Sequence, residues 1–373
     1  MRVDRLELLD FRSYAAAEAE FADGINVISG RNAQGKTTLL EAVYLLSGGR
    51  SFRTRFDREL IRFGRESARV RADIFAAERA QSIEIGLFRE KKKQIYQNKV
   101  KKSGGELSDT VKTVLFCPGD LELIREGAAA RRRLMDLAIC QLRPGYARLL
   151  ADFNRVYENK TRLLRDYRDD PAMLDTFIDF SDTMARLSAK MIRYRASFAR
   201  RLAEAAAPIH REFSGLDEEL HVAYRTVSTV SDPTAAEQSI YEQILAHQRS
   251  HRAAELAAGA CLTGAHKDDL EISINGQSAR AYASQGQTRT AALSLKLAER
   301  EIFLSETGEY PILLLDDVLS ELDSRRQAFV LNRIGGGQTL ITCCEDEEIV
   351  KKTGGKVIFV DAGRIGDSPC TSI

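Results

Sequence analysis

Residues 30–37 read Gly30-Arg31-Asn32-Ala33-Gln34-Gly35-Lys36-Thr37 and fit the pattern G-x-x-x-x-G-K-[ST]. The chemistry of such a run is anion capture. Successive backbone N–H groups turn inward and a helix N-terminus adds partial positive charge, so phosphate oxygens find donors without a cage of side chains. Gly30 and Gly35 permit a close backbone approach that a Cβ would forbid. In this pattern the Lys36 ammonium bridges the β- and γ-phosphates and the Thr37 hydroxyl holds Mg²⁺. The flanks suit it. Ile25-Asn26-Val27-Ile28 reads as a short apolar strand, and 38–46 reads as a helix with its apolar residues on one side. Gly30, Arg31, Asn32, Ala33, Gln34, Gly35, Lys36 and Thr37 are therefore expected to hold a nucleoside triphosphate.

Two later stretches carry the rest of the chemistry. Pro311-Ile312-Leu313-Leu314-Leu315-Asp316-Asp317 is a buried strand ending in two carboxylates. Asp316 can hold Mg²⁺ through its water shell, and Asp317 can orient or deprotonate an attacking water. Taken alone, two consecutive aspartates after a strand equally begin a turn. Ala283-Ser284-Gln285-Gly286-Gln287-Thr288-Arg289 leads into a helix. The Ser284 hydroxyl, the Gly286 N–H and the helix start make a second anion site, with Gln287 beside them. An ordinary N-capped helix would read the same way.

The elements that must position these residues follow from periodicity. The short apolar runs at 3–8, 19–21 and 25–28 read as strands of one sheet. Runs 70–75, 82–88 and 93–100 alternate like half-buried antiparallel strands, and 112–116 is one more. The texture then becomes helical: Tyr146, Leu149, Phe153, Val156, Lys160, Leu163 and Tyr167 step by three and four. After Asp169-Asp170-Pro171 the stepping resumes from Phe177 to Phe198. Pro171 can open a second helix, so the two segments are expected to fold back on each other, packed on a third helix over 234–258. A helical subdomain without a protruding arm fits equally. Leu270-Glu271-Ile272-Ser273-Ile274 with Asn275-Gly276 reads as a strand and hairpin turn. Three segments result: 1–125, 126–258 as an insertion, and 259–373.

Composition narrows the function classes. The chain has 373 residues, 44% hydrophobic and 29% charged, as expected of a globular protein with one large or two ordinary domains. Its longest apolar runs are far too short to span a bilayer. No apolar signal core follows Met1-Arg2-Val3-Asp4-Arg5, and six scattered cysteines show no metal-ligand spacing. The expectation is a cytoplasmic protein with free thiols. Net charge is +1, yet residues 50–102 hold 16 Lys/Arg against 7 Asp/Glu, which suggests a basic face that meets a polyanion. A solvated strand surface is the plain alternative.

The ordered set of glycine loop, Ser284-Gln285-Gly286-Gln287, carboxylate strand and Ser320-Glu321-Leu322-Asp323 resembles the ABC ATPase superfamily. The resemblance implies an α/β fold: an ABC-type P-loop NTPase head with an antiparallel β subdomain and an inserted α-helical arm. It also implies ATP as the nucleotide, sandwiched between the glycine loop of one subunit and the signature of another. Leu6-Glu7-Leu8-Leu9-Asp10-Phe11-Arg12-Ser13-Tyr14 and Leu40-Glu41-Ala42 resemble the SMC-like DNA-repair branch. Asp57-Arg58-Glu59-Leu60-Ile61-Arg62-Phe63-Gly64, Pro118-Gly119-Asp120-Leu121, Arg131-Arg132-Arg133-Leu134-Met135-Asp136 and His266-Lys267-Asp268-Asp269-Leu270 are similar to the RecF family. That resemblance implies ATP-dependent binding of single-stranded, gapped and linear duplex DNA. It further implies work with RecR and RecO to load RecA in repair, replication and the SOS response, with weak DNA-stimulated ATP hydrolysis, an ATP-dependent homodimer and no membrane. An ABC-type nucleotide-binding subunit acting on a non-DNA partner is the alternative. The pattern departs from the superfamily in two places. Asp317 occupies the usual glutamate position, and Thr342-Cys343-Cys344 stands where a histidine switch is expected. No glutamine-loop residue can be placed, and Arg12, Tyr14 and His266 are open to either a nucleotide-site or a structural role.

Overall fold

The computed structural model describes residues 1–166, 173–215, 217–226, 230–344 and 351–366. They divide into two compact units, Met1–Leu121 with Lys296–Ile373, and Glu122–Leu295.

The first unit begins with a hairpin of β1 (Arg2–Phe11) and β2 (Tyr14–Glu20), then β3 (Ile25–Ser29) and helix α1 (Lys36–Leu45). Strands β4 (Ser67–Ala76), β5 (Arg79–Phe88), β6 (Gln94–Gln97) and β7 (Val100–Lys102) follow, then the short helix α2 (Gly104–Leu107) and β8 (Thr113–Phe116). The antiparallel sheet has the order β2-β1-β4-β5-β6-β7. Its alternation buries Leu6, Leu8, Val70, Ala72, Ile83 and Ile85 on one face and leaves the other in solvent.

Two sequence expectations are corrected here. The runs at 3–8 and 19–21 do share a sheet, but 25–28 lies in a different one. β1 alternates as a one-sided antiparallel strand does, whereas Asn26 to Ser29 are all buried, the mark of a parallel strand covered on both faces. The run 93–100 is not one strand. Asn98 (φ 49°) and Lys99 (φ 67°) take left-handed conformations and form a two-residue turn that pairs Gln97 with Val100.

In the second unit, helices α3 (Ala128–Leu142), α4 (Pro144–Asp166), α5 (Met173–Ser214) and α6 (Glu237–Ala258) accompany strand β9 (Leu220–Arg225), which packs on α5 and pairs with β10 (Asp269–Ile274). α4 packs on α5 and α5 on α6. The expected turn at Asp169-Asp170-Pro171, with Tyr167, lies outside the described residues. Lys160, placed by its spacing on the apolar stripe of α4, meets Glu255 of α6 at 2.7 Å with both side chains fully buried. Glu255 also accepts the N–H groups of Leu262 and Thr263 and the Thr263 hydroxyl, so the buried charge is satisfied on every side. Asn275 (φ 50°) and Gly276 (φ 77°) make the turn from β10 to β11 (Gln277–Ser278). A four-residue helix α7 (Ala279–Tyr282) leads to helix α8 (Gln285–Thr307), which begins in this unit and ends in the first.

Back in the first unit, β12 (Ile312–Leu315), α9 (Ser324–Arg333), β13 (Thr339–Cys343), β14 (Lys356–Asp361) and β15 (Arg364–Gly366) close the chain. The second sheet has the order β15-β14-β3-β13-β12-β8. All neighbours are parallel except the edge strand β15. The glycine loop therefore leaves a central strand, and the carboxylate strand lies two places away across β13.

Candidate functional site

Parallel strands that end side by side bring their following residues together, and here they converge on Asp316. The Thr37 hydroxyl, at the start of α1, donates to Asp316 Oδ1 at 2.8 Å. The Thr342 hydroxyl of the intervening β13 donates to the same oxygen at 3.0 Å. Thr342 Oγ1 in turn accepts the N–H of Asp317 at 2.8 Å. Burial raises the Asp316 carboxyl above its ordinary range, and the Thr37 and Thr342 hydroxyls pull it back. Asp317 takes φ 53°, rare for a non-glycine, and its Oδ1 is buried with no hydrogen-bond partner among the described residues.

The loop itself is electropositive. Lys36 is nearly buried, its Nζ donating to the carbonyls of Gly30 (2.7 Å) and Arg31 (3.0 Å) and contacting Cys344 Sγ at 3.6 Å. Gly35 sits at φ 119°, and α1 starts with neither a side-chain cap nor an acidic residue in its first turn. Those free N–H groups suit an anion. A Cβ on Gly30 would lie 2.1 Å from the Val360 carbonyl oxygen, so glycine is required there. Tyr14 donates to the Gly35 carbonyl (3.1 Å), and burial pushes its phenol up, which keeps it a neutral donor. On the other side, Gln34 Oε1 accepts from Ala362 N–H at 2.6 Å.

Glu41, one turn along α1 and fully buried, takes Arg12 in a two-pronged pair at 2.8 and 3.0 Å. It also accepts the Ser51 hydroxyl and lies 3.5 Å from Arg53. Arg12 and Arg53 thus face a cleft of about 830 Å³ whose floor is Lys36, Thr37 and Asp317. The donor set is N–H-rich and cationic where phosphates would lie. It is oxygen-rich at Thr37, Asp316 and the unpaired Asp317 oxygen, where a divalent cation would lie. Nucleotide and Mg²⁺ both fit the residues present.

The RecF/RecN/SMC N-terminal domain family matches residues 2–361 of the chain. The DNA replication and repair protein RecF of Acetivibrio thermocellus is 38% identical over 370 residues, covering 98% of this chain and 99% of its own. The chain belongs to the RecF family. RecF of Bacillus mycoides is likewise 38% identical, over 376 residues and 98% of each chain. Among solved structures, the recombination mediator protein RecF-ATPrS of the RecFOR pathway superposes with a TM-score of 0.91 at 34% identity, covering 98% of this chain and 97% of its own. The SMC head domain of Pyrococcus furiosus shares the fold, with a TM-score of 0.54 at 15% identity. The α/β ABC-type head read from the sequence is the fold observed.

Within this RecF family member, Gly30 to Thr37, Asp316 and Asp317 come together in one unit. Ser284, Gly286 and Gln287 lie in the other. There Ser284 Oγ accepts the Gln287 N–H (3.2 Å) while Gln287 Oε1 accepts the Ser284 N–H (2.8 Å), a reciprocal cap at the start of α8. Ser284 stays exposed beyond that cap. His266 is packed against Tyr157 with ring centroids 4.5 Å apart, and burial lowers its pKa to about 4. Sequence reasoning missed Thr342 and Glu41. For Glu41 a signal existed: a carboxylate one turn after Thr37 in an otherwise apolar helix must find a cation. Among the described residues no helix is long and apolar enough to cross a membrane.

Proposed function

We propose that the chain is an ATP-gated DNA-binding recombination mediator. It takes single-stranded, gapped and linear duplex DNA, and it acts in repair, replication and the SOS response with RecR and RecO. The observation that carries this reading is the convergence of Thr37, Thr342 and Asp316 beside an unpaired Asp317 oxygen, in a chain of the RecF family. The relatives solved with ATP and ATPrS support ATP as the nucleotide. Residues 30–37 wrap the triphosphate, and Lys36 exchanges loop carbonyls for phosphate oxygens. Thr37 and Asp316 would hold Mg²⁺, which would supply charge neutralisation for the triphosphate. Asp317 orients and deprotonates the attacking water, giving a weak DNA-stimulated ATPase. Ser284, Gly286 and Gln287 of a second copy complete the pocket, so ATP dimerises the chain. Closure of the two copies then aligns their basic surfaces on the DNA phosphates. A gel shift on gapped and blunt duplex with and without ATP tests the reading. ATP-dependent retention of gapped DNA is expected, and binding blind to ATP sinks it.

A further inference from the structure

The turn 62–65 holds an apolar ring out in water. Arg65 N–H bonds to the Arg62 carbonyl at 3.0 Å, and Gly64 takes φ +78°, as the third residue of a type II turn must. Phe63, the second residue, stands at the outer corner and is 98% exposed. The turn is braced on three sides. Arg62 N–H bonds to the Asp10 carbonyl (2.8 Å), the Arg65 guanidinium pairs with the Asp10 carboxylate (3.3 Å), and Arg89 Nε donates to the Arg65 carbonyl (2.6 Å). Nearby in sequence, half-exposed Phe56 carries the Arg58 guanidinium over its ring at 5.2 Å.

The positive charge of 50–102 collects at this end of the antiparallel sheet. Segments 50–66 and 89–93 hold ten Lys/Arg against four Asp/Glu. The sheet's solvent face shows no such excess. Glu18, Glu7, Arg71 and Glu84 lie opposite one another across four strands, and Arg5 is paired with Glu18 at 2.6 Å. The basic surface expected from the sequence is thus a cluster of loops around Phe63 rather than a face of the sheet. Arg58, Phe63 and Arg89 stand at the rim of the nucleotide cleft.

We infer that Phe63 is a stacking platform for an unpaired DNA base, with the surrounding arginines on the flanking phosphates. The inference rests on the DNA-binding reading above and deepens it. A phosphate-only surface reads charge and not whether a base is free to stack. A base in a gap offers a free π-face, and one in a duplex is already stacked on both sides. A rigid aromatic ring among arginines makes that distinction without reading sequence.

The test uses the full chain at saturating ATP and Mg²⁺. It compares wild type, Phe63→Ala and Phe63→Trp on a duplex with a short gap carrying 2-aminopurine, and on the same duplex without the gap. Wild type is expected to quench the 2-aminopurine and prefer the gapped substrate. Phe63→Ala loses the quenching and about tenfold of the gapped-over-blunt ratio, and Phe63→Trp keeps both. A Phe63→Ala protein with quenching and ratio intact overturns the inference. So does a loss of nucleotide affinity with the ratio intact, which gives the ring to the base of the nucleotide. Wild type that binds neither DNA sinks the DNA-binding reading itself, an outcome separate from any result on Phe63.

Discussion

Thr342→Val removes one hydroxyl and almost nothing else, and it separates a built metal cradle from three residues that only lie close together. Thr342 is 1% exposed in β13, donates to Asp316 Oδ1 at 3.0 Å and accepts the Asp317 N–H at 2.8 Å. A hydrogen bond to a charged group contributes about 1.5–3 kcal/mol, and a buried N–H left alone costs about 1–3 kcal/mol. The two losses share one hydroxyl and do not add in full, so the variant is expected to be about 3 kcal/mol less stable. At about 2–4 °C per kcal/mol, Tm falls by about 6–12 °C in calorimetry without nucleotide. The same change acts on ionisation. Burial already holds the Asp316 carboxyl above its unfolded value, so ionising it costs stability as pH rises through that range. Losing one hydroxyl donor removes one of the two hydrogen bonds that pull it back, so it rises further. In the proposed site only the carboxylate form of Asp316 would hold the metal. Mg²⁺-dependent ATP binding is therefore present above the folded pKa and lost as pH falls through it, and the midpoint of that loss moves up in the variant. A pH titration of Mg²⁺·ATP binding in wild type and variant reads the shift. A Tm within about 1 °C of wild type, with an unchanged pH midpoint, refutes the relay.

Three further outcomes are expected. Glu41→Gln leaves the half-buried Arg12 guanidinium with one neutral acceptor in place of a carboxylate and is expected to cost about 1–3 kcal/mol, with weaker ATP binding because Arg12 and Arg53 line the cleft; urea unfolding and an ATP titration read both. Asp317→Asn keeps the shape of the site but removes the proposed base, so ATP is expected still to bind while phosphate release with DNA slows about a hundredfold or more in single-turnover assays. Lys160→Met leaves Glu255 buried without its cation, and hydrogen exchange should show α4 and α6 opening first, about 3–5 kcal/mol below wild type.

What could be read from the sequence was chemistry whose rule is local. The glycine loop depends on contiguous N–H groups and a helix start, and Asp316 on four apolar residues ahead of it, so both stand out in one dimension. Lys160 could be placed on the inner stripe by spacing, but its partner Glu255 lies 95 residues on, and no local pattern joins them. Partition of the first three strands between two sheets was hidden for a similar reason. A short apolar run such as 25–28 says that a strand is buried, not which neighbours it has. Thr342 was noted only as the wrong residue for a histidine switch. Its role appears when β13 is seen between β3 and β12, which puts its hydroxyl on Asp316. The turn at Asn98 and Lys99 was missed because lysine seldom takes φ above zero, and the register of β6 and β7 imposes it.

In the proposed mechanism ATP closes two copies of this chain, and closure holds DNA. Sedimentation velocity of the chain with a labelled gapped duplex, run with and without Mg²⁺·ATP, reads both parts at once. A dimer that carries the DNA is expected when ATP is present, and a monomer with most of the DNA free when it is absent. A monomer under both conditions, or DNA carried equally well without ATP, contradicts it.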